Sequence, residues 1–231
     1  MSYQHHWYSD HCPILSLPVG KVVCVGRNYV AHAKELGNPV PDAPVLFMKP
    51  STSIQFIDDT FCLCERQEAY HYETEIAVLI GQSLTNASPT QVQNAVVGIG
   101  LALDLTLRAT QNQLKSAQQP WERAKGFDGA CPITPFLAAS QFSDWENITF
   151  QLAINEKPVQ DGNSADMLFP IATLLGEISQ NFTLLPGDVV LTGTPAGVGE
   201  LHDQDKLRLS LGDKLTVTTR CCIGAQENSN V

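Results

Sequence analysis

A chain of 231 residues, 43% hydrophobic and 16% charged, can bury one large core or one core with a small appendage. Its formal net charge of −10, with no run of lysines or arginines, excludes a nucleic-acid-binding surface. No apolar stretch approaches the ~20 residues of a membrane span, and the opening MSYQHHWYSDHCPILSLP lacks the basic and apolar regions of an export signal. A cytoplasmic protein with no membrane partner is therefore expected. The seven cysteines include no C-x-x-C pair, and Cys62-x-Cys64 and Cys221–Cys222 are poor zinc spacings, so they read as reduced thiols.

In chain order, Lys21–Val25 predicts a short apolar strand ending at Gly26. A helix of about two turns follows, with Asn28 as N-cap and Gly37-Asn38-Pro39 as its stop. Alone, so short a helix is marginal, which suits a mobile lid. Val45–Met48 is a second short strand, ended by Lys49-Pro50, and residues 51–69 look irregular or hairpin-like. Tyr70–Ile80 reads as one longer strand ending at Gly81. Ser88-Pro89 opens a helix over 89–95, and Val96–Leu103 is a near-continuous apolar strand that ends at Asp104. Thr106–Gln118 predicts a helix, 121–135 a structured loop, Thr149–Asn155 a strand and Pro170–Asn181 an amphipathic helix. Leu185-Pro-Gly-Asp188 is a turn into the strand Val189–Leu191, and Leu211-Gly-Asp213 turns into a last strand, Lys214–Thr219. The pattern is one domain, predominantly β with a few short helices.

Alternation places His71, Glu73 and Glu75 on one face of their strand, with the two carboxylates ~7 Å apart. A polar outer face satisfies that spacing equally well. Asp104 adds a third acid at the end of the most apolar strand, where a charge is costly unless paired or metal-bound. Three carboxylates without a thiolate define a hard-cation site, for Mg2+ or Mn2+ first and Ca2+ next. His32 and Glu35, at i and i+3, can form a general base, or can be two solvated residues on a short helix. Lys125, between Trp121 and Phe127, either snorkels or faces a substrate oxygen. Arg108 shares a helix face with Gln111 and is a candidate carboxylate clamp. Thr192–Gly199 lacks the Gly-Lys-Ser/Thr ending of a phosphate loop, which excludes nucleotide binding there. Its hydroxyls and N–H groups can still hold a carboxylate.

Together the stretches CVGRNYVAHAKELG (24–37), PVLFMKPSTS (44–53), HYETEIAVLIG (71–81), LALDLTLRATQ (101–111), PWERAKGFDGACP (120–132) and LTGTPAGVG (191–199) resemble the fumarylacetoacetate hydrolase family. The likeness is to its small branch of acylpyruvases and oxaloacetate decarboxylases. It implies a mixed β-sandwich roll, usually a homodimer, with 21–222 as the catalytic domain; residues 1–20 depart from the family and read as an N-terminal extension, and 223–231 read as a polar tail. It further implies Glu73, Glu75 and Asp104 as ligands of one divalent cation (Mg2+ or Mn2+, with Ca2+ or Zn2+ as crystal substitutes). His32 and Glu35 match the water-activating dyad, and Lys125 the lysine that polarises substrate. Arg27, Arg108, Gln111 and Thr192 fall where the family contacts substrate or supports the site.

The implied activity is cleavage of a carbon–carbon bond in a small-molecule 2-keto acid. Acylpyruvates of the fumarylpyruvate or acetylpyruvate type would give pyruvate and a carboxylic acid, with oxaloacetate decarboxylation at the same site. The alternative is an isomerase or tautomerase, in which a proton moves and no bond between carbons breaks. A non-catalytic binding protein would be expected to have lost part of the triad or dyad, and all five residues are present.

Overall fold

Strands dominate because apolar and β-branched runs of two to ten residues alternate with Gly-, Pro- and Asn-rich turns. The computed structural model describes residues 3–9, 11–35, 37 and 40–224. In chain order these form β1 (Val22–Gly26), α1 (Val30–Glu35), β2 (Val45–Lys49), β3 (Ile54–Phe56), β4 (Thr60–Cys64), β5 (Tyr70–Tyr72), β6 (Thr74–Ile80), α2 (Pro89–Ala95), β7 (Val96–Leu103), β8 (Thr106–Leu107) and α3 (Arg108–Ser116). There follow α4 (Glu122–Lys125), β9 (Cys131–Ile133), β10 (Leu137–Ala138), β11 (Thr149–Ile154), β12 (Lys157–Asn163), α5 (Ile171–Asn181), β13 (Val189–Leu191), β14 (Gly199–Leu201), β15 (Lys206–Leu211) and β16 (Leu215–Gly224).

The fold is the mixed β roll expected, with few and short helices. The main sheet has the order β2-β1-β13-β6-β7-β9-β3, with β10 also on β7. A second sheet runs β12-β11-β15-β16-β4, and a small third one β14-β5-β8. Strand β6 is buried throughout. Its Ile76, Val78 and Ile80 join Leu152, Leu207, Leu209 and helix α5 in one core, while Ala77 and Leu79 join Leu15, Phe136 and Leu191 in the other. Each fully buried Ile or Leu contributes ~1.5–3 kcal/mol. The N-terminal residues cover this second face: Trp7 bridges to Phe136, and His5 Nε2 donates to Gly187 O at 3.0 Å. All seven cysteines are free thiols, Cys24, Cys131 and Cys221 buried. No described helix is long and apolar enough to cross a membrane.

The departures from the sequence expectations are long-range in origin. Residues 51–69 form no hairpin: β3 pairs in parallel with β9, and β4 in parallel with β16. Tyr70–Ile80 is not one strand; it breaks at Glu73, with β5 in the small sheet and β6 in the main one. The helix predicted from Thr106 begins at Arg108, because Thr106 and Leu107 pair with His71 and Tyr70. The 121–135 loop contains α4 and β9; β12 and β14 carry little local signal, whereas β15, KLRLSL, alternates polar and apolar residues throughout and was legible as a strand. Asn28 does not cap α1. Its amide donates to Phe169 O and Thr192 O, and its oxygen accepts from Phe169 N–H. The Asn38-Pro39 stop and residues 225–231 of the polar tail lie outside the described residues; β16 itself runs through Gly224.

Candidate active site

The acidic centre arises from a crossover of two neighbouring strands. Thr74 pairs with Leu103 in the main sheet and His71 with Thr106 in the small one, so both chains change sheet between these points. The residues at the crossover are Glu73 and Asp104, locked together by Asp104 N–H donating to Glu73 O at 2.8 Å. Glu75 lies two residues along β6 and so points to the same side as Glu73. The three carboxylates are 5%, 1% and 1% exposed for Glu73, Glu75 and Asp104, and each offers an oxygen within 4.8 Å of the others. His71, predicted to share this face, instead faces Glu200, 3.9 Å away, and does not line the pocket.

Cations surround the acids. Lys125 is not snorkelling; it is buried, with Nζ donating to Glu73 Oε2 and Asp104 Oδ2 at 2.7 Å each and lying 5.3 Å from the Phe47 ring centroid. Arg108 donates to Glu73 Oε1 and, at 2.7 Å, to Gln111 Oε1, so its guanidinium is already engaged by the site. Lys49, which the sequence marks only as the end of a strand, is fully buried. Its Nζ donates to Leu105 O and Lys125 O and lies 2.7 Å from Asp104 Oδ1, too obliquely to hydrogen-bond that oxygen. Phe47, two residues before Lys49 on the same face of β2, lines the pocket.

These charges split the acids electrostatically. Burial alone would raise the Glu73 pKa, but Lys125 and Arg108 outweigh it and hold the carboxyl below its ordinary value. Burial, then the charges of Asp104 and Glu73, push Glu75 well above its ordinary range, against the pull of Lys125 and of Gly193 N–H, which donates to Glu75 Oε2 at 2.6 Å. Burial would lower the Lys125 pKa, yet Asp104 and Glu73 raise it, so the ammonium stays protonated. Asp104 Oδ1 is buried without a hydrogen bond. Three buried, converging carboxylates, with no cysteine among the described lining residues, fit a divalent cation.

The dyad closes one side. His32 is 6% exposed and lines the pocket, and its Nδ1 is 3.3 Å from Glu35 Oε2. Glu35 Oε1 accepts from Gly197 N–H at 3.0 Å, which ties α1 to the glycine-rich loop. That loop needs its glycines. Gly193 (φ +94°) leaves no room for a Cβ, which would meet Asn28 Cβ at 2.7 Å. Thr192 turns its hydroxyl to Ile76 O at 3.1 Å; it is Thr194 that lines the pocket. Gln111 lines it as well, and Arg27, Phe47, Lys115 and Trp121 complete the wall.

A buried acid cluster under a cationic rim, reached through a pocket with an imidazole on its wall, fits a metal-assisted enzyme. The fumarylacetoacetate (FAA) hydrolase C-terminal family model matches residues 21–229, and the chain is an enzyme of that family. It is 46% identical over 219 residues to oxaloacetate tautomerase YcgM of Escherichia coli, covering 94% of this chain and 99% of that one. A fumarylacetoacetate hydrolase family protein from Yersinia pestis CO92 superposes with a TM-score of 0.91 at 46% identity, covering 95% of this chain and 100% of that one. The fumarylpyruvate hydrolase of Pseudomonas aeruginosa, solved with Mn2+ and pyruvate, superposes at 0.87 with 30% identity and 96% coverage of both chains.

Proposed function

We propose that the chain interconverts the enol and keto forms of oxaloacetate, with one divalent cation, Mg2+ or Mn2+, held by Glu73, Glu75 and Asp104. The geometric observation that supports proton transfer is the orientation of His32. Its Nδ1 is committed to Glu35, which leaves Nε2 to exchange a proton with the pocket. Similarity to a tautomerase over nearly the whole length of both chains supports it. When bound, the cation supplies Lewis acidity toward a 2-oxo acid.

The chain's own groups account for the proton. His32 Nε2 takes one from C3 of the keto form, the C–H pair becomes the C2–C3 double bond, the C2 carbonyl pair moves onto oxygen, and the proton held on Nε2 passes to that oxygen, which returns His32 to its neutral form. Glu35 stabilises the imidazolium. Lys125, kept protonated by Asp104 and Glu73, presents an N–H toward developing negative charge on oxygen. The reverse sequence delivers the C3 proton to the enol. Net negative charge on the chain repels a dianion weakly, and the cationic rim offsets this locally.

Acylpyruvate hydrolysis is the second reading. The same dyad can activate water, and the resemblance to the fumarylpyruvate hydrolase favours it. Oxaloacetate decarboxylation would use the site without that water. Proton NMR of oxaloacetate, acetylpyruvate and fumarylpyruvate with purified protein and Mg2+ separates the three. The expected result is faster enol–keto exchange of oxaloacetate without pyruvate formation. Rapid pyruvate release from an acylpyruvate, with unchanged exchange, would overturn the first reading in favour of the second. The proposed assembly is a homodimer, checked by light scattering at twice the chain mass.

A further inference from the structure

Two cations on the pocket wall have no counter-charge. Lys49, Lys125 and Arg108 each lie against a carboxylate of the triad. Arg27 and Lys115 line the same pocket, and among the described residues neither has a carboxylate within 4.0 Å or a side-chain hydrogen bond. Both are constrained. Arg27 sits at φ +62°, a left-handed conformation that a non-glycine residue holds only where its surroundings impose it, and its Nε is buried without a partner. Lys115 is half-buried, with Nζ 5.3 Å from the Trp121 ring centroid.

The end of α3 explains part of this, since a lysine in a helix's last turn is favoured by the helix dipole. The dipole does not explain a lysine turned over Trp121 into a pocket that already holds Arg27 and Arg108. Burial, then the charges of Arg108 and Arg27, lower the Lys115 pKa, so the fold works against this ammonium where it stands. An anion between Arg27 and Lys115 would relieve that cost and satisfy the Arg27 Nε–H.

We propose that Arg27 and Lys115 form a subsite for the distal carboxylate of a 2-oxo dicarboxylate, selecting a diacid over a 2-oxo acid that ends in an alkyl group. The subsite rests on the reading above, in which the 2-oxo acid end lies against the acidic triad. It assigns Lys115, through a charge-assisted contact, to substrate choice.

Calorimetry on the Mg2+-loaded full chain tests this without turnover. The probes are 3,3-difluorooxaloacetate, a diacid with no C3 proton to exchange, and 2-oxobutanoate, which has the same number of carbons and a distal methyl group. Lys115→Met keeps the apolar stem on Trp121. It is expected to weaken the diacid about 10- to 100-fold, the loss of one charged hydrogen bond, and to change 2-oxobutanoate less than about twofold; Lys115→Arg restores most of the diacid affinity. Diacid binding should also fall more steeply with salt than monoacid binding. Equal weakening of both probes, or an unaffected diacid, overturns the subsite while leaving the triad reading intact. Failure of the wild type to bind either probe overturns both.

Discussion

Replacing Lys49 with methionine removes a charge from the base of the site and keeps an unbranched side chain of similar length. The lysine is 0% exposed, its Nζ is 2.7 Å from Asp104 Oδ1, and it donates to Leu105 O at 3.3 Å and to Lys125 O. Removing one partner of a buried ion pair costs ~3–5 kcal/mol, because the remaining charge is left uncompensated. Lys125 still faces Asp104 Oδ2 at 2.7 Å, which points to the lower end, ~3 kcal/mol. For a chain of this size that is a fall in Tm of roughly 6–12 °C, at about 2–4 °C per kcal/mol. On the proposed reading a divalent cation would bind only the folded triad and replace the missing positive charge; at ~100 times its Kd it would stabilise by about 2.7 kcal/mol. Urea unfolding in EDTA and in saturating Mg2+ reads both effects. The variant is expected to lose ~3 kcal/mol in EDTA and clearly less in Mg2+. A loss below ~1 kcal/mol in EDTA, the range of an exposed ion pair, would refute the assignment of Lys49 as the buried counter-charge of Asp104.

Four further outcomes are expected. Burial lowers the His5 pKa below its ordinary value of 6.5, so the unfolded chain protonates first as pH falls. The stability contributed by neutral His5 is complete above that unfolded value and is lost toward the lower folded one, at no more than ~1.4 kcal/mol per pH unit. His5→Gln should flatten the acid limb of Tm between about pH 7 and about pH 5, and an unchanged limb contradicts the assignment. Gly197→Ala places a Cβ 2.1 Å from Val159 O at φ +96° and should destabilise by at least ~1–3 kcal/mol in denaturant titration. Gly176→Ala, with open space at its Cβ in α5, should instead stabilise by about 0.5–1 kcal/mol. His32→Gln should slow enol–keto exchange about 10²- to 10⁴-fold with unchanged circular dichroism; a loss below tenfold would remove His32 as the proton carrier.

What the sequence made legible were features with local cause. Alternation along 70–80 put Glu73 and Glu75 on one side, and an acid closing the apolar run 96–103 marked Asp104; the fold brings all three together. The i, i+3 spacing joined His32 to Glu35. The break at Glu73 was invisible because it depends on Thr106 and Leu107, far along the chain, drawing Tyr70 and His71 into another sheet. Lys49 read as the polar end of a strand, and only its contact with Asp104 shows it as an internal counter-charge. Asn28 carried a plausible capping signal, yet its amide serves the loop at Phe169 and Thr192. Strands β3 and β4 pair with β9 and β16 across long stretches of sequence, so no turn residue announces them.

Anomalous diffraction from a crystal soaked in Mn2+ tests the acidic centre most directly. The expected map shows one strong peak among the carboxylates of Glu73, Glu75 and Asp104 and none after Asp104→Asn. A crystal without a peak there, with the Lys125 ammonium still spanning Glu73 and Asp104 at high Mn2+, would contradict the assignment of these residues as the cation's ligands.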